Sequence, residues 1–363
     1  MKMPSKMHCL LLLAGLLLTS NVIAAGFVWT TIERSEETAL NAVIASQDRL
    51  VAVGGDGLIL TSSNARQWQN VPSGSSQPLQ DVAYADNRFV AVGNDGSVLS
   101  SDASAQNWAA ATLPEEIANV NIASAAHFQQ RWIFTSIRPI PIGPPMSNTV
   151  VFATEDFVSW EILLDAAPDF PSISNLQARN GILVGVGLTS DIALGVPFPL
   201  SSVDGINWDF SSSVIAFDLG FDGTRFVASG NEQGDAAVAT SVNGSNWSIR
   251  RFPELGAATL FFTIGAGAAG YLVLASDADT LKWFSSTDLQ SWQFELQDNP
   301  MFDVVAWRDG WVGVGSADIL LGEPVPAVPA MSMTGLIALV LLLPLIMLLY
   351  RQIAKQKFDV SAR

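Results

Sequence analysis

Arg49-Leu50-Val51-Ala52-Val53-Gly54-Gly55-Asp56-Gly57-Leu58-Ile59-Leu60-Thr61-Ser62 returns almost letter for letter as Arg88-Phe89-Val90-Ala91-Val92-Gly93-Asn94-Asp95-Gly96-Ser97-Val98-Leu99-Ser100-Ser101. Each copy reads as two short strands around a turn, in which Asp-Gly supplies the positive φ that a tight hairpin needs. The first strand is apolar at nearly every position, so both of its faces are covered. Echoes recur at Gly181–Gly187, Arg225–Gly230, Tyr271–Ser276 and Trp311–Gly315.

Tryptophan keeps the period. Trp29, Trp68, Trp108, Trp160, Trp208, Trp247 and Trp292 are separated by 39, 40, 52, 48, 39 and 45 residues. Periods of this length with several strands each define a propeller or a solenoid. Each unit reads as strands A to D, as in Leu79–Tyr84, Phe89–Val92, Ser97–Ser100 and a fourth strand opening at the Trp. After Trp292 come three more strands, Phe302–Trp307, Trp311–Val314 and Ile319–Leu321, with no fourth; Phe27–Ile32 is a lone fourth strand at the other end. The expectation is therefore an all-β, seven-bladed propeller over 26–322 whose last blade is assembled from both ends, leaving no open edge.

Ser/Thr-x-Asp/Asn-x-x-x-Trp precedes the fourth strand at Ser62–Trp68, Thr154–Trp160, Ser202–Trp208, Ser241–Trp247 and Ser286–Trp292, whereas Asp102 stands six residues before Trp108. This pattern resembles the BNR or Asp-box repeat of sialidase-like propellers, which implies the fold and, as an alternative function, a glycoside hydrolase. That chemistry needs converging arginines and a tyrosine nucleophile. Arg49, Arg88, Arg131, Arg225 and Arg308 instead fall one per A–B turn, and Tyr84 and Tyr271 fall within strands. Arg138, in Ile137-Arg138-Pro139, echoes the sialidase arginine element but lies in the third blade. His127 is the one histidine beyond the leader and Cys9 the one cysteine of the chain, so a multi-histidine or thiolate metal site is excluded and no cofactor is expected. The reading is non-enzymatic. The Val-Gly-x-Asp-Gly and Trp repeat also resembles the photosystem II assembly-factor propellers, implying an assembly or stability factor as a further alternative. Those propellers offer basic surfaces to their client, and this chain does not.

The chain of 363 residues is 49% apolar, 14% charged and carries a formal charge of −16. Low charge density excludes a disordered polyanion or a coiled coil, and the sign excludes nucleic-acid binding through a basic face. Topology places the B–C turns on one face with Asp56, Asp95, Asp191, Glu232, Asp235, Asp277, Asp279 and Asp318. Together with Arg138, Asp56, Asp95, Asp191, Glu232, Asp277 and Asp318 form the candidate site for a protein or glycan partner. Proline-rich insertions, Ser136–Thr149 and Thr189–Leu200, widen the same face.

Both ends read as addresses. Residues 1–25 have Lys2, Lys6, the apolar run Leu10–Leu18 and small Ala24 and Ala25, the layout of a secretory signal. A Pro-rich spacer, 323–332, leads to Met333–Tyr350, 18 uncharged residues that as a helix span about 27 Å of membrane, and then to a basic cytoplasmic tail, 351–363. Val328-Pro329-Ala330-Met331-Ser332-Met333-Thr334-Gly335-Leu336 with that helix and tail resembles the IPTL-CTERM sorting signals of Gram-negative bacteria. The resemblance implies an exported propeller in the cell envelope, anchored to the inner membrane or passed to the surface, with a sorting protease as a further partner.

Overall fold

The computed structural model describes residues 26–34, 37–139, 147–166, 170–188, 196–211, 214–256, 259–276, 280–297, 301–316 and 318–325. Residues 1–25, read from sequence as a leader, Val328–Tyr350, read as a sorting motif and membrane segment, Asp191 and Asp277–Asp279 lie outside these residues. Among the described residues no helix is long and apolar enough to cross a membrane.

Seven four-stranded antiparallel sheets follow one another, each in the order A-B-C-D. The seventh consists of Met301–Trp307, Gly310–Gly315, Ile319–Pro324 and, from the start of the chain, Phe27–Ile32. Phe27 pairs with Pro324 and Ile32 with Ile319 in a continuous antiparallel ladder. Closure through the two ends is thus the observed architecture. The A strands pack on one another around the ring, and that of blade seven lies against that of blade one, Leu40–Ala45.

The doubly apolar B strands follow from this arrangement. In blade two, Val90 and Val92 join the core shared with blade three, whereas Phe89 and Ala91 join the core shared with blade one. Seven such cores fill the seven interfaces between blades. The central residues of strand B, such as Phe89–Val92, therefore leave water, whichever way they point. The glycine ending the strand is a steric requirement: a Cβ on Gly54 would stand 2.0 Å from the Ala39 carbonyl oxygen, and one on Gly93 would stand 2.1 Å from that of Pro78.

Two details depart from the sequence reading. The tryptophans precede strand D rather than open it; Gln69, Ala109, Glu161, Asp209, Ser248 and Gln293 are the first paired residues. In Trp68, Trp108, Trp208, Trp247 and Trp292 the indole N–H donates to the carbonyl three residues back, at 2.9–3.3 Å, which holds the ring in the loop. The proline-rich insertions are also partly strand, since Pro139 pairs with Ser147 and Leu188 with Pro197.

Blade two keeps the Asp-box turn despite its letters. The residue three before the Trp has positive φ in all six blades, namely Ala65, Ala105, Phe157, Gly205, Gly244 and Leu289. In four blades Asp156, Asp204, Asn243 and Asp288 each accept two backbone N–H groups from the turn, as Asn64 does in blade one. In blade two Ser104 stands in that position, accepting from the Gln106 amide at 3.3 Å, and Asp102 has moved to the preceding place in the box.

Candidate functional site

The A strands surround a central channel of about 430 Å³. Each is broken near its start by a β-bulge, between Leu40 and Ala42, Leu79 and Asp81, Ile122 and Ser124, Ser174 and Gln177, Ala216 and Asp218, Phe261 and Thr263, and Met301 and Asp303. An extra residue tilts the local backbone and re-aims the side chains beside it. Two rings result, one residue apart.

The inner ring is Ala42, Asp81, Ser124, Asn175, Asp218, Thr263 and Asp303. Its polar members stitch blade to blade. Asp81 accepts the Ser124 hydroxyl at 2.6 Å and the Ala125 amide at 3.1 Å, and Ser124 in turn accepts the Leu176 amide at 2.9 Å. Asn175 donates to Asp218 at 2.9 Å, and Asp218 accepts the Ile264 amide at 2.8 Å. Thr263 donates to the Phe302 carbonyl at 3.3 Å, and Asp303 accepts the Val43 amide at 2.8 Å. Where the ring holds Ala42, its neighbour Asn41 donates to the Leu79 carbonyl at 2.7 Å. All seven interfaces are bridged.

The three carboxylates meet amide and hydroxyl donors but no cation. Each keeps a partial opening to the channel while walled in by sheet on every side. Burial pushes Asp218 up to about 8, with the neighbouring Asp303 and Asp81 charges adding to the effect against its amide donors. Burial likewise pushes Asp303 up to about 6 and raises Asp81. Desolvation therefore outweighs the hydrogen bonds that favour the charged forms.

The outer ring carries Phe217, Phe262 and Phe302 on blades five to seven, where blades one to four present Asn41, Gln80, Ala123 and Ser174. Phe217 and Phe262 lie with ring centroids 5.7 Å apart, and Phe262 and Phe302 are 39% and 50% exposed. These rings line the same channel as the carboxylates, at the end where the A strands begin and the B–C hairpins lie. Tyr84, His127 and Arg179 line it toward the other end.

The sequence-predicted site residues fall outside this channel. Asp56 and Asp95 occupy exposed B–C turns with positive φ, Glu232 ends strand B of blade five, and Asp318 precedes strand C of blade seven. They stand on separate blades of one rim. Arg138 is held within its own blade, 2.9 Å from both oxygens of Asp165 and from the Glu116 carbonyl. Trp29, unlike the other repeat tryptophans, lies within its strand and stacks on Trp283 of blade six at 5.5 Å.

The cations divide unequally between the faces, and on the arginine-rich side Arg66 pairs with Glu323, Arg131 with Glu161 and Arg225 with Asp222. Arg49, Arg66, Arg88, Arg131, Arg225, Arg250 and Arg308 belong to the A–B and C–D side. There they meet neighbouring box loops through backbone and rings: Arg308 donates to the Ser63 carbonyl, Arg250 to that of Leu289, and Arg88 lies over Phe157. On the B–C side, Arg34 binds the Thr38 carbonyl, Arg138 pairs with Asp165, Arg251 lies 3.7 Å from Asp235, and Lys282 is also engaged. Among the described residues, no cation of that face lacks a protein partner.

Among the described residues, Tyr271 meets one arginine and Tyr84 meets none. Tyr271 donates to Asp222 at 2.8 Å, accepts from Arg225 at 3.1 Å, and is raised by burial, the reverse of an activated nucleophile. Tyr84 reaches Asn87. Among the described residues no three acidic, histidine or cysteine side chains are grouped to hold a metal.

The inner ring escaped the sequence reading although a signal existed. Asp81-Val82, Asp218-Leu219 and Asp303-Val304 stand at one offset before their B strands, and the three phenylalanines fall just before the equivalent positions.

Solved structures agree with the fold. YCF48 from Cyanidioschyzon merolae is similar over 81% of this chain and 98% of its own, with TM-score 0.59 and 13% identity. YCF48 bound to D1 peptide covers 83% of this chain and 97% of its own, with TM-score 0.61 and 16% identity. The WD40 propeller domain of Doa1 covers 84% and 98%, with TM-score 0.53 and 10% identity. These likenesses establish a β-propeller. No protein-family model and no curated protein matches the chain.

Proposed function

We propose that this protein is a non-catalytic, exported propeller that binds a protein partner on its B–C face. The observation that carries the reading is the excess of carboxylates over cations. Residues 26–329 hold 33 acidic and 12 basic residues, a net −21, and the cations reaching the B–C face are engaged by the protein itself. The exposed carboxylates of this rim, Asp56 and Asp95 among them, steer a basic partner and reject acidic ones. Phe27 and Pro324 are cross-strand partners at the C–D end of blade seven, away from this face. A propeller similar in fold is known bound to D1 peptide, which supports a polypeptide over a glycan. The leader and the apolar segment Met333–Tyr350 support export and anchoring in an envelope membrane, with an assembly or stability role for an envelope complex as the finer reading.

The test combines crosslinking in cells with reversal of charge. Asp56→Lys, Asp95→Lys and Asp318→Lys together abolish recovery of a specific partner, whereas Arg49→Glu with Arg88→Glu on the other face leaves it intact. Equal recovery from both variants removes the assignment of the face. Fractionation of the native chain tests the anchor: release by high salt or alkaline carbonate contradicts an integral membrane segment.

A further inference from the structure

Resting on that reading, the structure narrows both the place and the chemistry of the contact. Phe262 and Phe302, 39% and 50% exposed, occupy sequence-equivalent positions on neighbouring A strands at the mouth of the channel, and apolar surface grouped in this way marks an interaction site. Phe217, packed on Phe262 at 5.7 Å, extends the platform. The bulges hold all three phenylalanines at one level, so they lose little freedom on binding. Around them the rim carries Asp56, Asp95, Glu232 and Asp318, and beneath them lie Asp218 and Asp303.

We infer that the Phe217, Phe262 and Phe302 platform is a docking site for an extended basic polypeptide segment, which seats an apolar or aromatic side chain on the rings and sets flanking lysines or arginines against the rim carboxylates. Aromatic anchors in a desolvated centre with a charged rim are the usual arrangement of binding energy at an interface. Cations beside the ring faces gain further from the aromatic quadrupole. A nucleic acid or an anionic lipid surface meets repulsion here, and so does a second copy of a body with net charge −21.

The probes are two fluorescein-labelled nonapeptides, one alternating lysine with phenylalanine and one alternating lysine with alanine, titrated by anisotropy against the full chain at low and high salt. The lysine–phenylalanine peptide is expected to bind about tenfold tighter than the lysine–alanine one. Phe262→Ser with Phe302→Ser removes that advantage, while Phe262→Tyr retains it. Retention of the wild-type melting temperature by the serine variant shows that the loss is local. Equal binding of both peptides, unaffected by the serine variant, overturns the platform while leaving the acidic-face reading standing. No binding by either peptide overturns both. Equally tight binding of a glutamate–phenylalanine peptide overturns the basic character of the occupant. A rise in affinity on deleting residues 351–363 overturns it in favour of the chain's own basic end.

Discussion

Asp303 of the last blade accepts the Val43 amide of the first at 2.8 Å, across 260 residues of sequence. Its other oxygen accepts the Val304 amide at 2.8 Å. One carboxyl group thus closes the ring at the axis while the Phe27–Ile32 strand closes it at the rim.

Asparagine does not replace this group. Both carboxyl oxygens receive backbone N–H donors, and an amide offers one oxygen and one further donor. Protonated aspartic acid keeps an acceptor lone pair on each oxygen, so neutrality alone is not the difference. Asp303→Asn and Asp303→Ala should each cost about 2 kcal/mol through an unsatisfied buried amide. Thermal melts then fall by several degrees in both variants; an asparagine variant as stable as the wild type contradicts the bidentate role.

Titration of the ring should give an acid optimum of stability. Asp218, near 8, and Asp303, near 6, hold protons more tightly in the folded than in the unfolded chain, where 3.8 applies. Their stabilising effect is complete below about 4 and is lost as pH rises through 6 and then 8. The box carboxylates act oppositely. Backbone amides of the turn hold Asp204 down at about 2 and lower Asp156 and Asp288, so their effect is lost only as pH falls below about 4. Melting temperature should therefore peak near pH 4 and decline toward pH 8, with the decline between pH 6 and 8 flattened in Asp218→Asn. A melting temperature that rises from pH 6 to 9 refutes the assignment.

Gly93→Ala should prevent or severely weaken folding, because its Cβ would stand 2.1 Å from the Pro78 carbonyl oxygen. Gly313→Ala is the control in the corresponding strand of blade seven. There the nearest atom is the Met301 sulfur at 3.3 Å, which belongs to a flexible side chain. Soluble yield and circular dichroism compare the two; equal behaviour contradicts the close approach at the bulge.

The blades were legible because the repeat is local. A B strand facing two cores must be apolar throughout, and Arg49–Ser62 and Arg88–Ser101 show it directly. The terminal pairing was legible by subtraction, since three strands after Trp292 lack a fourth and Phe27–Ile32 lacks a sheet. The axial ring was not read. Asp81 lies in a strand whose other residues look like ordinary inner-strand residues, and the extra bulge residue that turns it toward its neighbour leaves no mark in hydropathy. Convergence of seven strands on one axis depends on the closed ring and not on any one repeat. The rim acids were legible as turn residues, and their separation onto different blades follows from the same topology.

Trp29→Ala tests the rim. The indole stacks on Trp283 and contacts the Phe27 ring at 6.3 Å, joining the terminal strand to blade six as well as to blade seven. Loss of this half-buried side chain should cost about 2–3 kcal/mol, visible as a lower melting temperature and faster proteolysis at the terminal strand. An unchanged melt contradicts its role in closure.

Closure itself is open to direct measurement, since Cys9 is the single cysteine of the chain and precedes the first strand of the ring. Val28 and Glu323 are cross-strand partners, and Val28 is 54% exposed, so paired cysteines there meet the spacing a disulfide requires. In Val28→Cys with Glu323→Cys, mild oxidation should produce an intramolecular bridge in nearly all molecules, read as a two-hydrogen mass loss and a raised melting temperature. Two thiols that stay free, or that link only between molecules, would contradict the closed ring and with it the assignment of residues to its two faces.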